Sequence, residues 1–242
     1  MRIRNVVLSI IGAICLVLGS TAMANAVVLV DYQMNEPSGP NILVDSGPNG
    51  LNGEIGDLVA EHVSTGTGDF GLTFQGPRFI ANDERLALVQ DNVNLDPGTQ
   101  PYRVTVRFRT SNGADPNIIQ KGQSGQTGGF WKLVLHQGWP RCHFRDSNGV
   151  TKAIGFVKGF PSYVKAGDGK WHTLVCERLS NGVRITIDAG DPEGATKFIS
   201  GSIGNINSSR PLSIGGKVDC DIQTVGCDYF DGTIAWATID RP

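Results

Sequence analysis

The sequence carries almost no net charge and shows no sign of long helices. Its 21 basic residues oppose 23 acidic ones, which leaves a formal charge of −2. A protein without a basic surplus lacks the electrostatic signature of nucleic-acid binding. No stretch keeps apolar residues at the i, i+3, i+4, i+7 spacing of an amphipathic helix, and no apolar run after residue 26 is long enough for a membrane helix. These absences exclude helical bundles, nucleic-acid partners and stable membrane insertion of the mature chain.

The amino-terminal segment has the features of an export signal. Two arginines precede an apolar run from Val6 to Leu18, and small residues at Ala24 and Ala26 occupy the positions that a signal peptidase recognises. The run is short for a membrane span. We predict a secretory signal peptide over residues 1–26, cleaved after Ala26 or, as the alternative, after Ala24. The remaining chain, residues 27–242, is predicted to be secreted and extracellular.

Cysteine usage agrees with export. Four cysteines lie beyond the predicted signal, and an even number favours two disulfides in an oxidising compartment. No pair has the C-x-x-C spacing of a zinc site. Of the three possible pairings we favour Cys142–Cys176, which would join two strand-like segments, together with Cys220–Cys227, which would close a short loop. Four buried free thiols are the alternative.

β-Strand patterns occupy most of the predicted mature chain. Residues 102–109 alternate apolar and polar side chains, which is typical of a strand with one buried face. The 32 glycines suit many tight turns between short strands. We predict a single all-β domain over residues 27–242, folded as a two-sheet antiparallel sandwich. Further strands are predicted at 27–30, 130–137, 141–144, 171–178, 183–188 and 232–239.

The most specific motif is the segment DGKWHTLVC, residues 168–176. It lies in a fixed order with 44–53, 102–110, 117–122, 183–188, 212–216 and 229–234. This ordered set resembles the laminin-G-like, concanavalin A-like lectin family over essentially all of the predicted mature chain. The resemblance implies a jelly roll of two curved antiparallel sheets, in which Trp171 and His172 serve mainly to pack and hydrogen-bond within the sandwich.

The resemblance leaves the function open, because one fold hosts many activities. Jelly-roll glycosidases carry paired carboxylates in a Glu-x-Asp-x-x-Glu motif, and this sequence has none. The residue types used by jelly-roll lyases are present, but not in the spacing of the alginate-lyase motifs. We therefore predict a non-catalytic carbohydrate-binding, lectin-like or adhesion module with an extracellular glycan or protein as partner. A protein-binding or structural domain is the first alternative, and a polysaccharide lyase or glycosidase is the second.

Basic and apolar side chains alternate along three of the predicted strands. Because alternate residues of a strand share a face, each strand presents a basic face opposite an apolar one. If the three strands are neighbours, the basic faces form one patch that would bind an acidic glycan through arginine forks; an ordinary solvated face is the alternative. The predicted ligand-binding residues are Arg107, Arg109, Lys132, His136, Trp139, His143 and Arg145.

Two further expectations concern these residues. Trp139, in a turn, is a candidate for stacking on a sugar, with folding back onto the core as the alternative. His136 and His143, if unperturbed, would become charged below about pH 6.5 and strengthen the binding of an anion.

Calcium is the one cofactor that the resemblance suggests. Many relatives hold calcium through backbone carbonyls and an acidic side chain that follows a Gly-Thr-Ile-like triplet in the last strand. Here Gly232, Thr233 and Ile234 are followed by Ala235, which supplies no oxygen ligand. Calcium at the usual place is therefore in doubt. The acidic residues that could compensate are Asp31, Asp45 and Asp240.

Overall fold

The computed structural model describes residues 26–66, 68–76, 83–158, 165–218 and 228–242. The predicted signal peptide, up to residue 25, and the predicted Cys220–Cys227 pair lie outside the described residues. The described strands are β1 (Val27–Tyr32), β2 (Ile42–Leu43), β3 (Gly53–Ile55), β4 (Ala60–Ser64), β5 (Phe70–Phe74), β6 (Ala87–Val89), β7 (Tyr102–Arg109), β8 (Asn117–Gly122), β9 (Phe130–His136), β10 (Trp139–Arg145), β11 (Thr151–Gly155), β12 (Trp171–Leu179), β13 (Gly182–Ile187), β14 (Ala195–Ser200), β15 (Leu212–Ile214) and β16 (Gly232–Arg241).

Helical structure in the described ranges is limited to two short 3₁₀ turns, Asp83–Arg85 and Val93–Leu95. Among the described residues no helix has the length and apolar character to cross a membrane. The first strand begins at Val27, the residue that follows the predicted cleavage site. Cleavage itself stays a prediction.

The strands form two antiparallel sheets of eight strands each. Sheet A has the order β14-β13-β12-β7-β16-β5-β4, and β1 also pairs with β16. Sheet B has the order β11-β10-β9-β8-β15-β6-β3-β2. Neighbouring strands are often distant in sequence, as in a jelly roll. The predicted all-β, two-sheet sandwich is confirmed.

The core lies between the sheets and follows the alternation in the sequence. In β7 the buried and half-buried residues alternate over all eight positions, and the buried set packs against apolar side chains of β9 and β10. Two large aromatic residues of this core keep their polar atoms satisfied: the Tyr102 hydroxyl and the Trp131 Nε1–H both donate to the Leu95 carbonyl, at 2.8 and 3.0 Å. The side chains that remain outside the core form the outer faces of the two sheets.

A disulfide joins the two sheets through this core. Cys142 of β10 in sheet B and Cys176 of β12 in sheet A are bonded, with Cα atoms 5.7 Å apart. Both cysteines are fully buried. The first predicted pairing is confirmed, and it fixes β12 of one sheet against β10 of the other.

Lys121 is a cation enclosed in the fold. The Lys121 side chain on β8 has no solvent exposure, and its Nζ lies 2.5 Å from Asp91 Oδ1 and 3.5 Å from Asp96 Oδ1. It also donates a hydrogen bond to the Ser208 carbonyl. The buried ammonium therefore holds two loops onto β8 through a largely buried contact with Asp96, a more exposed contact with Asp91 and a hydrogen bond to Ser208.

Candidate functional site

The predicted ligand-binding residues do not form one patch. Arg107 and Arg109 lie on β7 in sheet A, whereas the other five lie on β9 and β10 in sheet B. Six of them lie on the outer faces, because the alternate positions of these strands are buried in the core, whereas Trp139 packs against the core. The outer faces of two stacked sheets point away from each other, so the predicted single patch is wrong.

On sheet A the two arginines meet a tryptophan. Across the β7–β12 pairing, Arg109 is opposite Trp171 and Arg107 is opposite Thr173. The guanidinium carbons of Arg107 and Arg109 lie 5.6 and 4.9 Å from the centre of the Trp171 ring. On the other side of β7, Trp236 of β16 is opposite Arg107. We call the set Arg107, Arg109, Trp171 and Trp236 the arginine–tryptophan surface.

The two arginines of this surface differ from other arginines on the same sheet. Arg103 binds the Asp240 carboxylate at 2.9 Å, and Arg184 binds Glu177 at 2.9 Å. Within the described part of the chain, neither Arg107 nor Arg109 has a carboxylate or hydrogen-bond partner. Their positive charges are fixed by cation–π contact with Trp171 and are not neutralised.

A cleft of about 840 Å³ adjoins this surface. Arg107 and Trp171 form part of its lining, and the segments 165–173 and 188–194 supply most of the rest. Lys165 and Lys170 add positive charge, while Asp191 and Glu193 add negative charge on the opposite segment. The cleft is therefore lined by groups that can bind both acidic groups and hydroxyls.

His172 lines the cleft and lies between two carboxylates. Its Nδ1 is 2.6 Å from Asp188 Oδ2, and its Nε2 is 3.0 Å from Asp168 Oδ1. Burial opposes the charged imidazole, but the hydrogen bonds to Asp188 and Asp168 outweigh it and raise the pKa of His172. Asp188 also accepts the Thr173 backbone N–H at 2.7 Å. His172 therefore holds the two walls of the cleft together.

Trp171 has both a structural and a surface role. Its Nε1–H donates to the Thr65 carbonyl at 3.1 Å, which anchors the ring to the turn between β4 and β5. The side chain is only half-buried and contributes to the cleft. The resemblance implies a packing role for this residue, and only the register with β7 reveals that it also positions two arginines. Trp236 is missed by the sequence analysis because no motif marks it.

The two histidines on sheet B lie in different surroundings. Burial, and then the charges of Lys132 and Arg141, lower the pKa of His143 to about 4. His143 therefore stays neutral near pH 6.5, and its expected charging there is wrong. His136 Nδ1 lies 3.1 Å from Asp115 Oδ2, where its charge would be matched by a carboxylate. Trp139 is half-buried and packs against the core, which is the alternative considered for it.

The acidic residues considered for calcium already have protein partners. Asp45 Oδ1 accepts the backbone N–H groups of Asp31 and Gly47, both at 2.8 Å, so this carboxylate organises a turn. Asp31 accepts from Gln33 at 2.6 Å, and Asp240 pairs with Arg103. Ala235 is buried within β16. In the described ranges no group of three or more His, Cys, Asp or Glu side chains is arranged to hold a metal ion.

Sheet order, core and strand pairing define the class of fold. The chain has the laminin-G-like, concanavalin A-like jelly roll that the resemblance implies. No protein-family model matches the sequence, nor does any curated protein. The agreement with known proteins therefore lies in the three-dimensional structure.

Several solved structures share this fold. The binding domain of paraclostridial mosquitocidal protein 1 matches with a TM-score of 0.61 at 14% identity, over 88% of this chain and 48% of that chain. The botulinum neurotoxin serotype G binding domain matches at 0.60 and 13% identity, over 88% and 47%. The serotype D ligand-binding domain in complex with N-acetylneuraminic acid matches at 0.57 and 16%, over 89% and 47%. This chain spans about half the length of each, and identities this low establish the fold alone.

Proposed function

We propose that this chain is an exported, non-catalytic carbohydrate-binding module that holds an acidic glycan at the arginine–tryptophan surface of sheet A. The observation that carries the proposal is the pair Arg107 and Arg109, which have no carboxylate partner within the described residues and are fixed over Trp171 beside the cleft. An unneutralised guanidinium pair is well suited to bind carboxylate or sulfate groups bidentately.

The position of the arginines favours binding energetically. A flexible arginine loses side-chain entropy when it orders around a ligand. Contact with the Trp171 ring restrains Arg107 and Arg109 before the ligand arrives, which reduces that loss. Trp236 supplies a neighbouring half-buried ring suited to the apolar face of a sugar. The carboxylates of Asp191 and Glu193 at the cleft can accept hydrogen bonds from sugar hydroxyls.

The matched structures support a binding role. The class of ligand is argued from the residues of this chain and not from those structures. They are binding domains of toxins, and one of them contains N-acetylneuraminic acid. Binding is favoured over cleavage because the sequence lacks the Glu-x-Asp-x-x-Glu motif of jelly-roll glycosidases. In addition, two of the carboxylates that line the cleft, Asp168 and Asp188, are both engaged by His172.

Replacing both arginines should weaken the binding of short acidic oligosaccharides to sheet A. Hydrogen bonds to charged groups contribute about 1.5–3 kcal/mol each, so Arg107→Gln/Arg109→Gln should raise Kd at least about tenfold. Calorimetric titration with short uronate and sulfated oligosaccharides, chosen from a glycan array, measures the change. Affinity of the unaltered protein should also fall steeply with salt, because exposed charges are screened over about 8 Å at physiological ionic strength.

Matched variants separate charge from geometry. Arg241→Gln removes one positive charge at the end of β16, as the single variant Arg107→Gln does on β7, and should leave Kd unchanged. Arg107→Lys keeps the charge but not the planar fork, and should lose part of the affinity. Chromatography of the incubated oligosaccharides tests for cleavage products, which would support the enzyme alternative. A Kd that changes neither with salt concentration nor with substitution of both arginines would contradict the proposal.

Export of the module depends on the amino-terminal signal. Processing after Ala26 would leave Val27, the first residue of β1, as the new terminus. Amino-terminal sequencing of protein secreted by the native host should return Val27, or Asn25 if cleavage follows Ala24. Met1 on a membrane-retained protein would show that the segment is not removed.

A further inference from the structure

The outer face of sheet B carries a second set of unneutralised cations. Arg141 and Arg145 on β10 point outward on the same side as Lys132 on β9, because the intervening residues Cys142 and Phe144 are buried in the core. In the described part of the chain, none of the three cations has an ion pair or a side-chain hydrogen bond. Positive charge is therefore available on this face as well.

These cations are arranged as a strip. Arg141 and Arg145 are four residues apart on one strand, and a strand rises about 3.3 Å per residue, so the two positions are about 13 Å apart. Lys132 pairs with His143, the residue midway between them, and so lies beside the centre of the strip. We call Lys132, Arg141 and Arg145 the basic strip. A linear polymer with regularly spaced negative charges matches such a row better than a small anion does.

The charged groups facing the strip are mostly neutralised elsewhere. Asp115 is engaged by His136, and Asp228 lies 3.5 Å from Lys217. Asp146, next to Arg145 in sequence, uses both carboxylate oxygens on backbone N–H groups, at 2.8–2.9 Å. Lys132 is largely desolvated, which lowers its pKa, and Asp228 partly offsets its charge. Among the described residues neither Arg141 nor Arg145 has an ion pair, so these two arginines supply most of the free charge of the strip.

The strip and the arginine–tryptophan surface are on opposite sides of the sandwich. Strand β7 belongs to sheet A, and β9 and β10 belong to sheet B. Two packed sheets lie about 10 Å apart, with their outer faces directed away from each other. A single glycan segment of a few sugars cannot contact both sets at once, whereas two polymer chains can.

We propose that one molecule of this protein binds two acidic polysaccharide chains, one on each sheet, and so cross-links them. The proposal rests on the proposed function for the sheet A face and adds the basic strip as a second, independent binding surface. The occupant of the strip is an acidic polysaccharide, argued from charge complementarity along β10. Such a module would act as an adhesive between polyanionic chains.

A sandwich assay tests the proposal. Polygalacturonate or dextran sulfate is immobilised, the protein is bound, and fluorescent polymer of the same kind is added, with neutral dextran as the control polymer. Light scattering must show that the protein is a monomer under these conditions. The unaltered monomer should capture the soluble polymer onto the immobilised one, and raised salt should release it.

Matched double variants measure how much the outer face of each sheet contributes to polymer binding. Arg107→Gln/Arg109→Gln and Arg141→Gln/Arg145→Gln should each still bind immobilised polymer, but capture of the soluble polymer should fall at least tenfold. Combining all four substitutions should remove both the binding to immobilised polymer and the capture of soluble polymer. Glutamine keeps much of the arginine stem, and circular dichroism and thermal unfolding verify that each variant is folded.

The outcomes distinguish the two proposals. Undiminished capture by Arg141→Gln/Arg145→Gln, or capture only by protein that forms dimers, would overturn the second surface while leaving the sheet A site intact. If the sheet B variant lost all binding while the sheet A variant bound as well as the unaltered protein, the proposed function would instead be overturned. Capture of neutral dextran as strongly as of the acidic polymers would contradict charge recognition on both faces.

Discussion

Protein with the Cys142→Ala/Cys176→Ala substitutions should unfold with a free energy lower by about 2–5 kcal/mol than that of the unaltered oxidised protein. The sequence separation is 34 residues, and the chain-entropy model assigns about 4 kcal/mol to closing a loop of that length. Both side chains are fully buried, so the substitutions also remove packing. Urea unfolding followed by tryptophan fluorescence measures the difference.

Two comparisons isolate the buried disulfide. Cys220→Ser/Cys227→Ser leaves the Cys142–Cys176 bond intact and should retain more of the stability. Peptide mapping without reduction should recover a peptide that links Cys142 to Cys176. A loss below about 1 kcal/mol, less than the usual range for a native disulfide, or a link from Cys142 to Cys220 would show that this bond does not hold the sheets together.

The substitution Lys121→Met should be destabilising to a similar extent. Removing one partner of a buried ion pair costs about 3–5 kcal/mol, because the remaining charge is left uncompensated. Asp91 is 43% exposed and can be solvated, but Asp96 is only 9% exposed and cannot. The Ser208 carbonyl also loses a donor. Chemical denaturation near neutral pH measures the loss.

The loss should depend on pH in a defined direction. Burial already raises the pKa of Asp96 even though Lys121 opposes that shift, and removing the ammonium should raise it further. A carboxyl whose folded pKa lies above its unfolded value loses stability as pH rises through that interval. Lys121→Met should therefore be less destabilised near about pH 4 than near about pH 7.

A second substitution that removes the charge of Asp96, the carboxylate left without its Lys121 partner, provides the control. Asp96→Asn keeps the oxygen that accepts the Ser208 backbone N–H at 3.1 Å. Lys121→Met/Asp96→Asn should recover part of the lost stability and remove its extra pH dependence. Equal destabilisation of the single and double variants at every pH would mean that Lys121 acts through packing and not through its charge.

Local pattern predicts much of the fold because the chemistry of a strand is local. The alternation over residues 102–109 corresponds residue for residue to β7, and the predicted strands at 130–137 and 171–178 correspond to β9 and β12 within a few residues. In each case the period of two determines which side chains face the core. The outward direction of Arg107, Arg109 and Arg145 is predicted correctly for the same reason.

The sequence by itself determined the β-class, the positions of several strands and the face on which each basic residue of these strands lies. Only the tertiary structure decided which basic faces are neighbours, because strand order depends on pairing between distant segments: β7 pairs with β12 and β16, whereas β9 and β10 pair in the other sheet. It also decided that Trp171 restrains two arginines and that burial keeps His143 neutral. A repeat of two residues fixes a side chain relative to its own strand, but the packing of whole sheets determines its surroundings.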